Sequence, residues 1–157
     1  MRGTDGEVAL LRERTGDYMR STLAELSGHD ADGTIVLDVL PDTLCGPDTC
    51  AATLVRGRRA WHLLATRSPY PVDRPAMAQA CAAADIVVSD RRLPDWCRPR
   101  WLKADRTLLA DTGGLAIRLG AEPAVITVRE MQAGHPWAPV PLALAARKTP
   151  DRGFDTR

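Results

Sequence analysis

Residues 85–117, DIVVSDRRLPDWCRPRWLKADRTLLADTGGLAI, restrict the available folds more than any other part of this chain. Ile86, Val87 and Val88 make a short apolar run of the kind that a parallel sheet buries on both faces. Downstream, Asp105 stands where a helix N-cap belongs, Leu108 and Leu109 give that helix an apolar side, and Gly113 suits the left-handed residue that closes it. Another strand then begins at Leu115. A core strand leading through a capped helix to a further strand calls for a layered α/β arrangement. The loop between strand and helix holds the chemistry. It carries Arg91, Arg92, Arg98, Arg100 and Lys103, with Arg106 just beyond, against Asp90, Asp95 and Asp105. This is a local excess of +3 within a formal total of +1, so the remainder carries −2.

A chain of 157 residues suits one modest domain, and a hydrophobic share of 45% builds a core without a structural metal. Aromatic residues are only 4%, so that core is aliphatic, and the four tryptophans are positions to examine. The near-neutral charge argues against a strongly basic nucleic-acid domain and leaves room for a local phosphate-binding patch. No apolar run reaches the roughly 20 residues that span a bilayer, and the N-terminus lacks a basic-then-apolar leader. The spacing of Cys45, Cys50, Cys81 and Cys97 contains no CxxC pair, which removes a zinc-finger reading. Cys45 and Cys50 frame the loop GPDT and can form a disulfide in an oxidising compartment. Cys81, on an Ala-rich helical pattern, reads as a small buried residue. Cys97 reads as a structural cysteine, a partner of Cys45 or Cys50, or a thiol activated by neighbouring arginines.

Along the chain, residues 8–12 read as a strand and 18–26 as a helix with Tyr18, Met19, Thr22, Leu23 and Leu26 at helical spacing. Residues 35–40 suit either a helical turn or a brief strand. Residues 52–56 and 60–66 flank the turn Gly57-Arg58-Arg59 as an antiparallel hairpin, and 75–84 form a helix with Pro75 in its first turn. Residues 115–119 and 124–129 read as two strands joined at Pro123, and Trp137 as closing the end of the core. Residues 138–157 have no period and read as a disordered tail. The fold class is α/β, a mixed sheet with flanking helices.

The runs CGPDTCAATLVRGRRAWHLLATRS, ACAAADIVVSDRRLPDWCRPRWLKADRTLLADTGGLAI and AGHPW resemble the C-terminal region of ComEC-type competence proteins as found in alphaproteobacteria. The likeness spans residues 8–137 and is most specific over 84–117. It implies a partial metallo-β-lactamase-like αβ sandwich, the second half of that domain, occupying residues 1–137. It also implies an inner-membrane-associated, periplasm-facing setting, with single-stranded DNA and the membrane channel portion of the same protein as partners. Departures from the family pattern bear on mechanism. The HxHxDH motif of hydrolytic members is missing from this chain. Where a strand of the kind FLLTGD ends in a metal-ligand aspartate, this chain has WHLLATRS, with Arg67 and Ser68. Where ADVLKVPHHGS supplies a histidine, it has Asp90, Arg91 and Arg92. Cations repel a dication, so two-metal catalysis is not expected, nor is any cofactor or small-molecule substrate.

Arg91, Arg92, Arg98, Arg100 and Lys103, with Trp96 and Trp101, are therefore the candidate DNA contacts, arginines on phosphates and tryptophans on unpaired bases. The bland reading pairs those arginines with Asp90, Asp95 and Asp105 and buries the tryptophans. Two alternatives stand beside the leading one. The first is a metal-dependent nuclease whose ligands come from a separate N-terminal half, with Asp90 or His62 completing the site. The second is a purely structural or interaction fragment. No catalytic or metal-ligating residue is assigned.

Overall fold

The computed structural model describes residues 8–12, 15–28, 33–133 and 135–137. The tail expected over 138–157 lies outside the described residues. At the centre is a five-stranded mixed sheet in the order β3 (Thr43–Cys45), β4 (Thr49–Arg56), β5 (Arg59–Thr66), β6 (Ile86–Val88) and β7 (Leu102–Ala104). The first three strands run antiparallel as a meander, and β6 and β7 join parallel to β5. Gly57, at φ +61, makes the β4–β5 turn, a backbone state that glycine adopts without cost. Helix α2 (Arg74–Ala83) carries the chain from β5 to β6. Asp73 caps it by accepting from the Ala76 amide at 3.3 Å, and a proline fills its first turn. Residues 89–101, which form no helix or strand, cross over from β6 to β7.

Strand alternation sorts the interior into two faces. Leu64 and Val87 pack with Met77, Cys81, Leu93 and Cys97 under α2 and the crossover segment. Trp61, Ile86, Trp101, Leu102 and Ala104 pack on the opposite face beneath α3 (Arg106–Thr112) and the hairpin β8 (Leu115–Arg118)–β9 (Ala124–Thr127). Next to that second cluster, Cys50 and Ala65 meet Ala9 and Leu37 from a small parallel unit. That unit is β1 (Val8–Leu10) paired with β2 (Thr34–Val36), joined through α1 (Asp17–Ser27). The layered α/β arrangement expected from residues 85–117 is therefore the observed one.

Several expectations are refined. Residues 35–40 are both things at once, the end of β2 and a 3₁₀ turn over Leu37–Val39. Strands β3 and β7 are additions. Val128 and Arg129 belong to a short helix, α4 (Val128–Met131), which a Thr127/Glu130 capping box starts immediately after β9. Gly113 does close α3, at φ +73, and Gly114 at φ +143 lets the chain pass Val128, whose Cγ2 would lie 3.0 Å from an added Cβ. The apolar stripe of α1 faces outward: Tyr18, Met19, Leu23 and Leu26 are exposed, and the helix packs through Ala24 instead. Trp137 is also exposed and stacks on His135 at 4.9 Å, so it does not close the core as expected.

Candidate nucleic-acid interface

Two buried hydroxyls tie the ends of the central parallel strands together. Thr66 at the end of β5 and Ser89 just past β6 lie 2.8 Å apart, and the Arg91 amide donates to the Ser89 hydroxyl at 3.1 Å. The next anchor is Asp105. Its buried carboxylate accepts from the amides of Thr107 and Leu108 as the cap of α3, and from the Leu93 amide of the crossover segment at 3.0 Å. The start of the basic segment is thereby fixed to the start of α3. Arg106 closes the arrangement, its amide donating to the Arg91 carbonyl at 3.1 Å and its Nε to the Asp90 carbonyl at 2.8 Å. The carboxyl ends of parallel strands are where open α/β sheets bind ligands.

Cations and carboxylates both stand at this edge, and the arginines of its basic segment are held by neutral oxygens. Asp90 forms an ion pair with Arg12, and the Asp105 carboxylate is committed to amides. Arg91 donates to the Tyr70 carbonyl, and its Nε is buried without a hydrogen-bond partner. Arg92 is exposed and donates to the Thr107 hydroxyl at 3.3 Å. Lys103, half-buried on β7, lines an open cleft of about 750 Å³ with Arg92, Asp95, Asp105 and Asp111. For Arg91, Arg92 and Arg98 the expected pairing with Asp90, Asp95 and Asp105 side chains is thus replaced by bonds to neutral oxygens, since Arg98 also takes a carbonyl, that of Asp95 at 3.0 Å.

The seven candidates do not form one surface. Because β7 runs parallel to β6, the segment that leaves the carboxyl end of β6 must return to the amino end before β7 starts. Arg100 therefore sits beside the beginning of β6: its amide donates to the Ala84 carbonyl at 3.0 Å and its Nη1 lies 3.7 Å from the fully buried Asp85 carboxylate. Asp90 lies five residue steps beyond Asp85, about 16 Å of extended chain. Arg91 and Arg92 thus stand at one end of the sheet and Arg100 at the other, with Lys103 midway along β7.

The tryptophans are corrected in part. Trp101 is 8% exposed and packs against the fully buried Trp61 with ring centroids 5.0 Å apart, so its ring is closed to a nucleobase. Trp96 is half-buried against the cluster under α2, with the Arg74 guanidinium 5.8 Å from its centroid. The aromatic that does accompany the arginines is Tyr70, 70% exposed on the loop whose carbonyl Arg91 holds. A solitary tyrosine in SPYPVD gives no sequence signal for that role.

Arg67 and Ser68 stand just past the end of β5, where Arg67 bonds Asp38 at 2.8 Å and Ser68 bonds Asp48 at 2.5 Å. His62 is level with Asp85, whose amide donates to its carbonyl, and its ring is 3.3 Å from the Thr53 hydroxyl. It is therefore at the opposite end of the sheet from Asp90, and the two cannot complete one metal centre. Among the described residues, Asp38, Cys45 and Cys50 are a group with ligating atoms close together, but both sulfurs are joined in a disulfide. Cys81 and Cys97 form a second bridge, Cα atoms 5.2 Å apart, between α2 and the crossover segment. Cys81 is the small buried residue expected, with a bridge that was not, and Cys97 is structural, neither a reactive thiol nor bonded to Cys45 or Cys50. No helix among the described residues is long and apolar enough to cross a membrane. No protein-family model, curated protein or solved structure matches this chain.

Proposed function

We propose that this chain is a non-catalytic, metallo-β-lactamase-like half-domain of a ComEC-type DNA-uptake protein, and that it contacts the phosphates of single-stranded DNA through the carboxyl edge of its parallel strands. The observation that carries the reading is the set Arg91, Arg92 and Arg106, whose side chains are held by neutral oxygens beside the exposed Tyr70. Guanidinium groups not matched by carboxylates bind phosphate, and an exposed phenol ring offers a base a sequence-tolerant stacking face. Two disulfides that use all four cysteines suit the oxidising, periplasm-facing setting that the family resemblance implies. The membrane channel portion of the same protein would deliver the strand to this edge.

Fluorescence anisotropy with a labelled oligothymidylate of about 15 nucleotides, the upper range of one single-strand site, tests the reading. Arg91→Ala/Arg92→Ala weakens binding about tenfold, whereas Arg98→Ala, beside the Cys97 that is bridged to α2 and outside the Arg91, Arg92 and Arg106 set, changes it by less than about twofold. The oligonucleotide stays intact when Mn²⁺ is added. Cleavage would favour the nuclease reading, and equal losses in both variants would remove the carboxyl edge as the contact. A structural or interaction role is the second reading, favoured by the outward apolar stripe of α1. Absence of DNA binding together with concentration-dependent self-association would support it over the first.

A further inference from the structure

We propose that the Cys45–Cys50 bridge is a thiol–disulfide exchange site, in which an external thiolate attacks the Cys45 sulfur and Cys50 departs as the leaving group. The inference is independent of DNA binding. It begins with the contrast between the two bridges. Cys81 and Cys97 are 0% and 1% exposed inside the cluster under α2, where no thiolate can approach. Cys45 is only half-buried and lies on β3, an edge strand paired on one side alone, whereas Cys50 beneath it is 1% exposed. An incoming nucleophile therefore meets Cys45 first.

The charges around Cys50 suit a leaving group. The Arg67 guanidinium Nη1 lies 3.8 Å from the Cys50 sulfur, and exchange quickens as the departing thiol becomes more acidic, which a nearby cation promotes. Asp38 opposes it, with one oxygen 4.0 Å from the same sulfur and the other bonded to Arg67 at 2.8 Å. The two neighbours thus act with opposite sign on one atom. In the step itself, the thiolate electron pair forms a new bond to Cys45 Sγ while the Cys45–Cys50 bond breaks and its pair leaves on Cys50 as a thiolate. A stoichiometric monothiol gives the mixed disulfide on Cys45, whereas a second molecule attacks the outer sulfur, releases Cys45 as a thiolate and leaves as the oxidised dimer. With a dithiol, the second thiol loses its proton, attacks the mixed disulfide and releases Cys45, so two electrons and two protons pass from the dithiol to the bridge. The β3–β4 pairing, Thr43 to Ala52 through Cys45 to Cys50, remains to hold the strand.

Brief incubation of the folded protein with a stoichiometric amount of glutathione, followed by alkylation, digestion and mass mapping, reads the site directly. The expected product carries glutathione on Cys45 and the alkyl group on Cys50, with Cys81–Cys97 closed. Dithiothreitol in place of glutathione leaves both Cys45 and Cys50 alkylated. Arg67→Ala slows the opening and Asp38→Asn speeds it, each by about fivefold, the scale of one partly exposed charge pair. Glutathione found on Cys50, simultaneous opening of both bridges, or the same rate in both charge variants would overturn the proposal. The wild-type map decides the site even if a variant folds poorly.

Discussion

Replacing Asp105 with alanine lowers the stability of the fold by about 3 kcal/mol and its melting temperature by about 10 °C. The carboxylate is 4% exposed and serves two elements at once. Loss of the cap on the Thr107 and Leu108 amides costs about 1 kcal/mol, the usual scale for an aspartate N-cap. The Leu93 amide, buried and bonded at 3.0 Å, is left without an acceptor, which adds about 2 kcal/mol. Asp105→Asn separates the contributions, because its remaining oxygen can serve either the helix or Leu93 and its amide group clashes donor-to-donor with the other. Thermal melts should rank wild type, Asn, then Ala. A fall of less than about 2 °C for alanine would show that the crossover segment is anchored elsewhere.

Removing the buried bridge, as Cys81→Ala/Cys97→Ala, costs a further effect of similar size, about 3 kcal/mol, from the unfolded-chain entropy released when a loop of this length is opened. The sequence separation is 16, against 5 for Cys45–Cys50, so the corresponding Cys45→Ala/Cys50→Ala variant loses less, about 2 kcal/mol. The location sharpens the expectation. Cys97 pins the middle of a segment with no helix or strand of its own, and Leu93 shares its cluster. Amide exchange should therefore quicken first across residues 91–101 in the Cys81/Cys97 variant while the β4–β5 hairpin keeps its protection. Equal melting temperatures for the two double variants would contradict the assignment of Cys81–Cys97 as the structural bridge.

What the sequence made legible follows the reach of each signal. Asp105, Gly113, Gly57 and Pro75 act within a few residues of themselves, and each occupies the position expected of it. Strand β7 escaped because three residues, Leu102–Ala104, cannot display a period, and the Lys103 between the two core residues reads as part of a charged loop. It is a strand because Leu102 and Ala104 align with Ile86 and Val88 on the same buried face. That parallel pairing is also what pulls Arg100 away from Arg91, so the apparent single basic cluster depended on a crossover direction that local spacing does not encode. Trp101 is hidden by Trp61, a partner 40 positions earlier, and Cys97 by Cys81 across the helix–segment junction.

The candidate site was thus partly readable. Charge density singles out Arg91 and Arg92 as candidates, whereas the arrangement beside them carries no such signal: Tyr70 arrives on the loop after β5, and Arg106 reaches back from α3 to the Asp90 carbonyl. The outward stripe on α1 shows the limit of periodicity, which finds an apolar helical face without saying whether this chain covers it.

The salt dependence of single-stranded DNA binding tests the central claim most directly. If Arg91, Arg92 and Arg106 each neutralise a phosphate, the logarithm of the association constant falls against the logarithm of salt concentration with a slope of about −2. Arg91→Ala/Arg92→Ala should reduce that slope to about −0.7 as two contacts are lost. No binding by the wild-type protein at low salt, or a slope that the double substitution leaves unchanged, would contradict phosphate contact at the carboxyl edge.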